Sequence, residues 1–293
     1  SLMAPATAGL AAVQVNIFVN SIFASYQPGA VSWLQYAFRI LYLPIGIFGV
    51  AVATVATTGL ARRAAEGDLG GLRATARQAL SIVTFLSVPA TVGLMVLGVP
   101  IVRLLYERGQ FAADPGNTQA TAAALLFYSV GLVAYTSVKV LAPAFYALGS
   151  PRVPLLASAL AVAANLVINL LLHERFGFRA VALGASLGSL ANALVLLAVL
   201  HSRVGGLLDR ELWGRLGRVL LAALLMAPVA WISWRWLEGA VGHRGLPAQA
   251  LTCLVPVALG ILAYGLAARL LGLPESGQIL ALLRRRRSPP SPQ

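Results

Sequence analysis

Two cations stand where a cation is expensive. Arg39 lies in the apolar run YAFRILYLPIGIFGVAVAT (36–54), and Lys139 lies in YSVGLVAYTSVKVLAPAFYALG (128–149). Of the 22 Lys and Arg residues, these two alone sit deep inside apolar stretches. The nine carboxylates (Glu66, Asp68, Glu107, Asp114, Glu174, Asp209, Glu211, Glu238 and Glu275) all fall in or beside connections. A charge in hydrocarbon normally has a partner, and no acid of this chain is placed at either cation's depth. Three readings are open: a cationic cavity for an anionic ligand, pairing with another part of the protein, or snorkelling to water. At ~1.5 Å per residue, Arg39 is about 12 Å from one end of its helix and Lys139 about 13 Å from the far end of its own. That depth makes snorkelling awkward unless both face a hydrated cavity. Arginine grips phosphate-type oxygens in a bidentate fork, and lysine adds a point charge.

A second constellation is neutral. Asn165 and Asn169 are spaced i, i+4 and share a helix face, and Asn20 lies in an earlier segment. The small residues of LGASLGSLAN (183–192) let a neighbouring helix approach closely. Hydrogen bonding between close-packed helices is the plainer reading; a cation site lined by amide and backbone oxygens is the sharper one, though none of its ligands is anionic. Enzyme chemistry has no foothold, because His173, His201 and His243 all lie in predicted connections and no GxSxG, HExxH or P-loop pattern occurs. Cys253 is the single cysteine, so neither a disulfide framework nor a thiolate cluster can form.

The elements that must position these residues are membrane spans. The 293 residues are 59% hydrophobic and 11% charged, with mean hydropathy +0.82, which defines an all-α polytopic membrane protein. Eight apolar windows are long enough to cross: Met3 to Ser25, Val31 to Leu60, Ala74 to Tyr106, Thr118 to Leu148, Val153 to Leu172, Ala180 to Leu200, Leu212 to Leu237 and Pro247 to Leu271. Internal prolines at 44, 89, 143, 228 and 256 predict kinks or tilt. The formal charge of +13 does not point to nucleic acid, since the cations sit between apolar spans. Alternate connections hold fourteen basic residues (Arg62, Arg63, Arg73, Arg77, Arg152, Arg203, Arg210, Arg215, Arg218, Arg269 and Arg284 to Arg287) against six (Arg103, Arg108, Arg175, Arg179, Arg235 and Arg244). The positive-inside rule then puts both termini in the cytoplasm. RRRRSPPSPQ at the end predicts a basic, disordered tail touching anionic lipid. The opening SLMAPATAGL is already apolar and lacks an initiator Met, which predicts the back portion of a longer protein.

The run YAFRILYLPIGIFGVAVATV resembles the MurJ (MviN) family of lipid II flippases, within the MOP exporter superfamily. The resemblance continues in the same order through VRLLYERGQF and YSVGLVAYTSVKVLAPAFYALGSPRVP, covering essentially the whole chain. It implies a second six-helix transport lobe (1–203), two additional C-terminal helices forming a groove for the lipid tail (204–273) and the tail (274–293), with a first lobe preceding them. It further implies flipping of the lipid-linked peptidoglycan precursor across the bacterial inner membrane by alternating access. Arg39 matches a cavity arginine that binds the diphosphate and Ser32 a cavity serine, with Lys139 assisting. Many members read A-D-R where this chain has Ala37-Phe38-Arg39, and an acid common near Tyr42 is absent. Asn20, Asn165, Asn169 and Val181 match positions that in some members help coordinate sodium. Here asparagines stand for the acids and Ala185 for a threonine. Rival readings are export of another anionic lipid-linked oligosaccharide and a non-transporting membrane scaffold for cell-wall enzymes. Membrane lipids, the lipid-linked glycan and the first lobe are the partners implied.

Overall fold

The computed structural model describes Gln14 and residues 16–275. Those residues form helices α1 (Asn16–Ser25), α2 (Ala30–Pro44), α3 (Ala51–Ala65), α4 (Leu69–Tyr106), the short α5 (Gly109–Ala112), α6 (Gly116–Ser129), α7 (Leu132–Ala147), α8 (Arg152–Phe176), α9 (Phe178–Arg203), α10 (Arg210–Val241) and α11 (Leu246–Leu270), with no strand among the described residues. Six are long and apolar enough to cross a membrane, counting α2 to α3 as one, and the bent pair α6–α7 makes a seventh. The eight expected spans are therefore not all seen. Most of Met3 to Ser25 lies outside the described residues, and α1 is its visible end. The chain is a multi-pass membrane protein of helices alone, as a backbone in hydrocarbon requires.

The breaks decide where the site falls. Pro44 has no N–H to donate and its ring crowds the preceding turn, and the helix widens into a π-helical segment, Ile45–Val50, before resuming as α3. In α4 the backbone leaves helical angles at Leu97 (φ −103°, ψ 16°). This is one residue beyond Val96, whose carbonyl would have bonded residue 100 had Pro100 carried an N–H. The kink thus belongs to a proline outside the predicted set, while Pro89, Pro143, Pro228 and Pro256 sit inside α-helices. The fourth predicted span is not one helix: α6 and α7 meet at 45° around Val130 and Gly131. Ser186 of α9 stitches that break, its Oγ hydrogen-bonded to the carbonyl oxygens of Phe127 (2.8 Å) and Tyr128 (3.1 Å). Gly177, at φ 55° and ψ −135°, is the single residue between α8 and α9. A left-handed φ of this kind suits glycine, and the sharp reversal lays Asn165 and Asn169 against the small residues of α9.

One apolar cluster joins α1, α2, α4, α6 and α9 around Leu41, Leu125 and Val181; a second joins α3, α4, α7 and α9 around Leu60, Val83 and Phe145. A third clamps α10 and α11 onto α4 through Phe85, Met226 and Tyr264, whose hydroxyl donates to the Phe85 carbonyl at 2.7 Å. Charge reinforces that docking at both ends. Asp209 caps α10, accepting from the Leu212 N–H, and pairs with Arg77 of α4. At the opposite end Arg103 of α4 meets Glu238 of α10 at 2.7 Å. Of the expected tail, Pro274 and Glu275 are described: Glu275 is buried and accepts from Ser81 Oγ at 2.7 Å. The remainder lies outside the described residues.

Candidate functional site

A concavity of about 760 Å³ opens between α1, α2, α7, α8 and α9. Arg39 enters its wall from α2 and Lys139 from α7, each on a side chain exposed to the opening. Neither makes an ion pair among the described residues. The Arg39 guanidinium carbon instead sits 5.9 Å from the centroid of the Tyr36 ring, a cation–π distance. Tyr36 is itself held by Tyr106 (4.6 Å between centroids) and Phe111 (5.4 Å). Lys139 runs its stem over Gly49 of the π-helical segment, its Cγ 3.6 Å from where a side chain there would begin. The widened turn after Pro44 therefore brings α7 close and delivers the lysine to the same cavity as the arginine.

Ser32 has a different position: it is exposed on the first turn of α2 and outside the residues that line this cavity. Several lining residues escaped the sequence reading, namely Gln35, Phe38, Tyr42, Tyr128, Tyr135, Ser158 and Asn192. Helical spacing held the signal for some of them. Gln35 and Tyr42 are one turn either side of Arg39, and Tyr135 is one turn before Lys139, so each shares a face with a cation.

The asparagines come together as a ladder. Asn165 Nδ2 donates to Asn20 Oδ1 at 2.8 Å and also to Asn16 Oδ1, and Asn169 Nδ2 donates to Asn165 Oδ1 at 3.0 Å. Asn16 is the member sequence reading missed, four residues before Asn20. Asn165 and Asn169 are buried, and Val181 is fully buried beside them in the cavity wall. A Cβ at Gly184 would lie 2.5 Å from Asn165 Oδ1 and 3.3 Å from Asn169 Nδ2, so only glycine lets α9 seat against the ladder. The residues that the resemblance matches to a sodium site are engaged with one another here. The oxygens of Asn16, Asn20 and Asn165 each face an amide N–H, no carboxylate joins them, and Asn169 Oδ1 alone is buried without a partner. They serve α1 and α8 as interhelical hydrogen bonds.

Comparison with known proteins gives this cavity a setting. The family model described as "Lipid II flippase MurJ" matches residues 1–245. A probable lipid II flippase MurJ of Vibrio cholerae is 33% identical over 283 residues, covering 93% of this chain and 52% of the relative. One of Rhizobium meliloti is 34% identical over 286 residues, with 97% and 52% covered. Among solved structures, a lipid II flippase MurJ in an inward closed conformation superposes with TM-score 0.74 at 25% identity, over 89% of this chain and 51% of that one. An outward-facing multidrug resistance MATE transporter of the MOP superfamily gives TM-score 0.57 at 16% identity, a likeness of fold alone. The chain spans about half the length of the curated relatives it matches. With its cation-bearing cavity on the helices that the family model covers, the chain belongs to the MurJ family of lipid II flippases.

Proposed function

We propose that this chain is the half of a lipid II flippase that receives the diphosphate of the lipid-linked peptidoglycan precursor. One observation carries the reading: Arg39 and Lys139 line one cavity and neither has an acid to neutralise it among the described residues. A dianionic phosphate group is the ligand such a cavity lacks. Arg39 supplies two parallel N–H donors to its oxygens, and Lys139 a third charge contact. The names of the relatives, all lipid II flippases, support the same substrate. The headgroup enters the cavity between this lobe and a first lobe, the lipid tail stays in the bilayer along α10 and α11, and rocking of the lobes exposes the site on the other side. The fourteen-to-six distribution of basic residues supports an orientation with the richer set of connections on the cytoplasmic side.

The test is complementation of a flippase-depleted strain by the full-length protein. Arg39→Ala should fail to restore growth while the protein accumulates normally. Losing two charge-assisted hydrogen bonds corresponds to roughly a hundredfold or more in affinity. Lys139→Ala should cost less, roughly tenfold. Normal growth with Arg39→Ala overturns the assignment. If lipid II fails to accumulate on depletion while another glycolipid does, the substrate becomes that glycolipid.

A further inference from the structure

The cavity carries more than charge. Phe38, the neighbour of Arg39 in sequence, lies 5.4 Å from Tyr128 and 6.2 Å from Tyr135 between ring centroids, at interplanar angles of 69° and 84°. Tyr42 follows one turn later, 6.2 Å away. All four rings line the same concavity as Arg39 and Lys139. Edge-to-face packing fixes the rings against one another, so this is a rigid wall. Yet Phe38 is 36% exposed and Tyr42 52% exposed, and apolar surface facing a wet, charged cavity is unfavourable until something covers it.

The cover has to satisfy three things at once: flat C–H surface for the rings, hydroxyl or amide groups for the polar edge, and an attached anion for the cations. The polar edge is present in the phenol groups of Tyr128 and Tyr135, which both donate and accept and which line the concavity. A pyranose joined to a phosphate has all three features; a bare polyprenyl chain has only the first. We infer that Phe38, with Tyr42, Tyr128 and Tyr135, is a stacking platform for the sugar ring attached to the diphosphate, and that this wall selects the glycan while Arg39 and Lys139 hold the anion. The inference rests on the diphosphate reading above and adds to it the recognition of the sugar.

The experiment measures binding of two probes to the full-length protein in nanodiscs: lipid II, and a polyprenyl diphosphate without sugar. Wild type should bind lipid II more tightly. Phe38→Leu, which keeps the apolar bulk and removes the ring, should weaken lipid II binding about five- to tenfold, the size of one aromatic contact. The sugar-free probe should be unaffected, and Phe38→Tyr should restore lipid II affinity. Equal loss for both probes would show that the ring holds the lipid or merely packs the fold, and no loss for either would show that it is idle; each overturns the platform. If wild type binds neither probe, the diphosphate reading fails and the platform with it. If Arg39→Ala weakens both probes while Phe38→Leu weakens neither, only the platform fails.

Discussion

The Arg103–Glu238 pair lets the docking of α10 onto the lobe be tested quantitatively. Arg103 Nη1 donates to Glu238 Oε1 at 2.7 Å, with side chains 10% and 19% exposed. The secondary contacts are poor: Arg103 Nε is 3.5 Å from Glu107 and forms no hydrogen bond, and Glu238 has only Arg235 at 3.8 Å and His243 at 3.9 Å. Glu238→Leu therefore leaves a nearly buried guanidinium with one distant, ill-aligned carboxylate. Breaking a buried pair by removing one partner costs about 3–5 kcal/mol, and the partial exposure of Glu238 lowers the expectation here to about 2–3 kcal/mol. Arg103→Met should cost less, about 1–2 kcal/mol, because the carboxylate left behind reaches water more easily. The double variant Arg103→Met, Glu238→Leu removes both charges, and replacement of a buried pair by apolar groups is close to neutral. A double-mutant cycle on thermal unfolding in detergent, with disulfide trapping between cysteines on α4 and α10, measures the coupling. If the double variant is as unstable as the two singles added, the pair is not coupled and apolar packing alone docks α10.

Two other perturbations follow from the same kind of accounting. Gly184→Ala puts a methyl 2.5 Å from Asn165 Oδ1, so the asparagine ladder must shift, at a cost of about 1–3 kcal/mol. Proteolysis at the α8–α9 hairpin should rise with it, and unchanged protection would mean that the ladder yields freely. At the start of α10, the Leu212 N–H bonded to Asp209 and the nearby Arg77 hold that carboxyl below its ordinary 3.8. Because the folded-state value is the lower one, its contribution is fully present above the unfolded value and fades only as pH falls through the folded one. Amide protection at Leu212 should thus be flat from about pH 7 to about pH 4 in wild type and already lost at about pH 7 in Asp209→Ala. A wild-type decline beginning near pH 6 would contradict the cap.

Much of the frame was legible because a membrane span announces itself by length and apolarity. The α8, α9, α10 and α11 spans lie within a few residues of the windows read from sequence. What escaped was set by contacts between distant residues. The break at Val130 and Gly131 is invisible in an apolar run, since the Ser186 hydroxyl that stabilises it lies 56 residues beyond Val130 in the chain. The kink at Leu97 was missed because Pro100, near the C-terminal end of a long apolar window, was not among the prolines read as kinks. Arg39 and Lys139 stood out by their cost, and the structure puts both in one cavity. The aromatic lining did not stand out, because Phe and Tyr in a span are unremarkable until their neighbours are known. Asn16 was overlooked because a single amide in a span reads as packing until a ladder forms around it.

Where the acids went explains why the cavity remains positive. Seven of the nine carboxylates lie within ion-pair distance of arginines: Glu66 and Asp68 in the α3–α4 turn, Glu107 and Glu238 on Arg103, Asp209 and Glu211 on Arg77, Glu275 on Arg215. Those on Arg77, Arg103 and Arg215 fasten α10 and the α11 end to α4, and none of the seven lines the cavity. Two unit charges about 4 Å apart are worth on the order of 4 kcal/mol at an effective dielectric of about 20. A carboxylate beside Arg39 would therefore cancel about as much attraction for a phosphate as the arginine supplies. At position 38, beside Arg39 in the chain, stands a phenylalanine. Among the described residues no acid holds Arg39, and its ring contact is Tyr36. A ring contact yields to a phosphate more readily than a carboxylate would, so on the proposed reading the cations stay available to the ligand's charge while the aromatic wall reads what is attached to it.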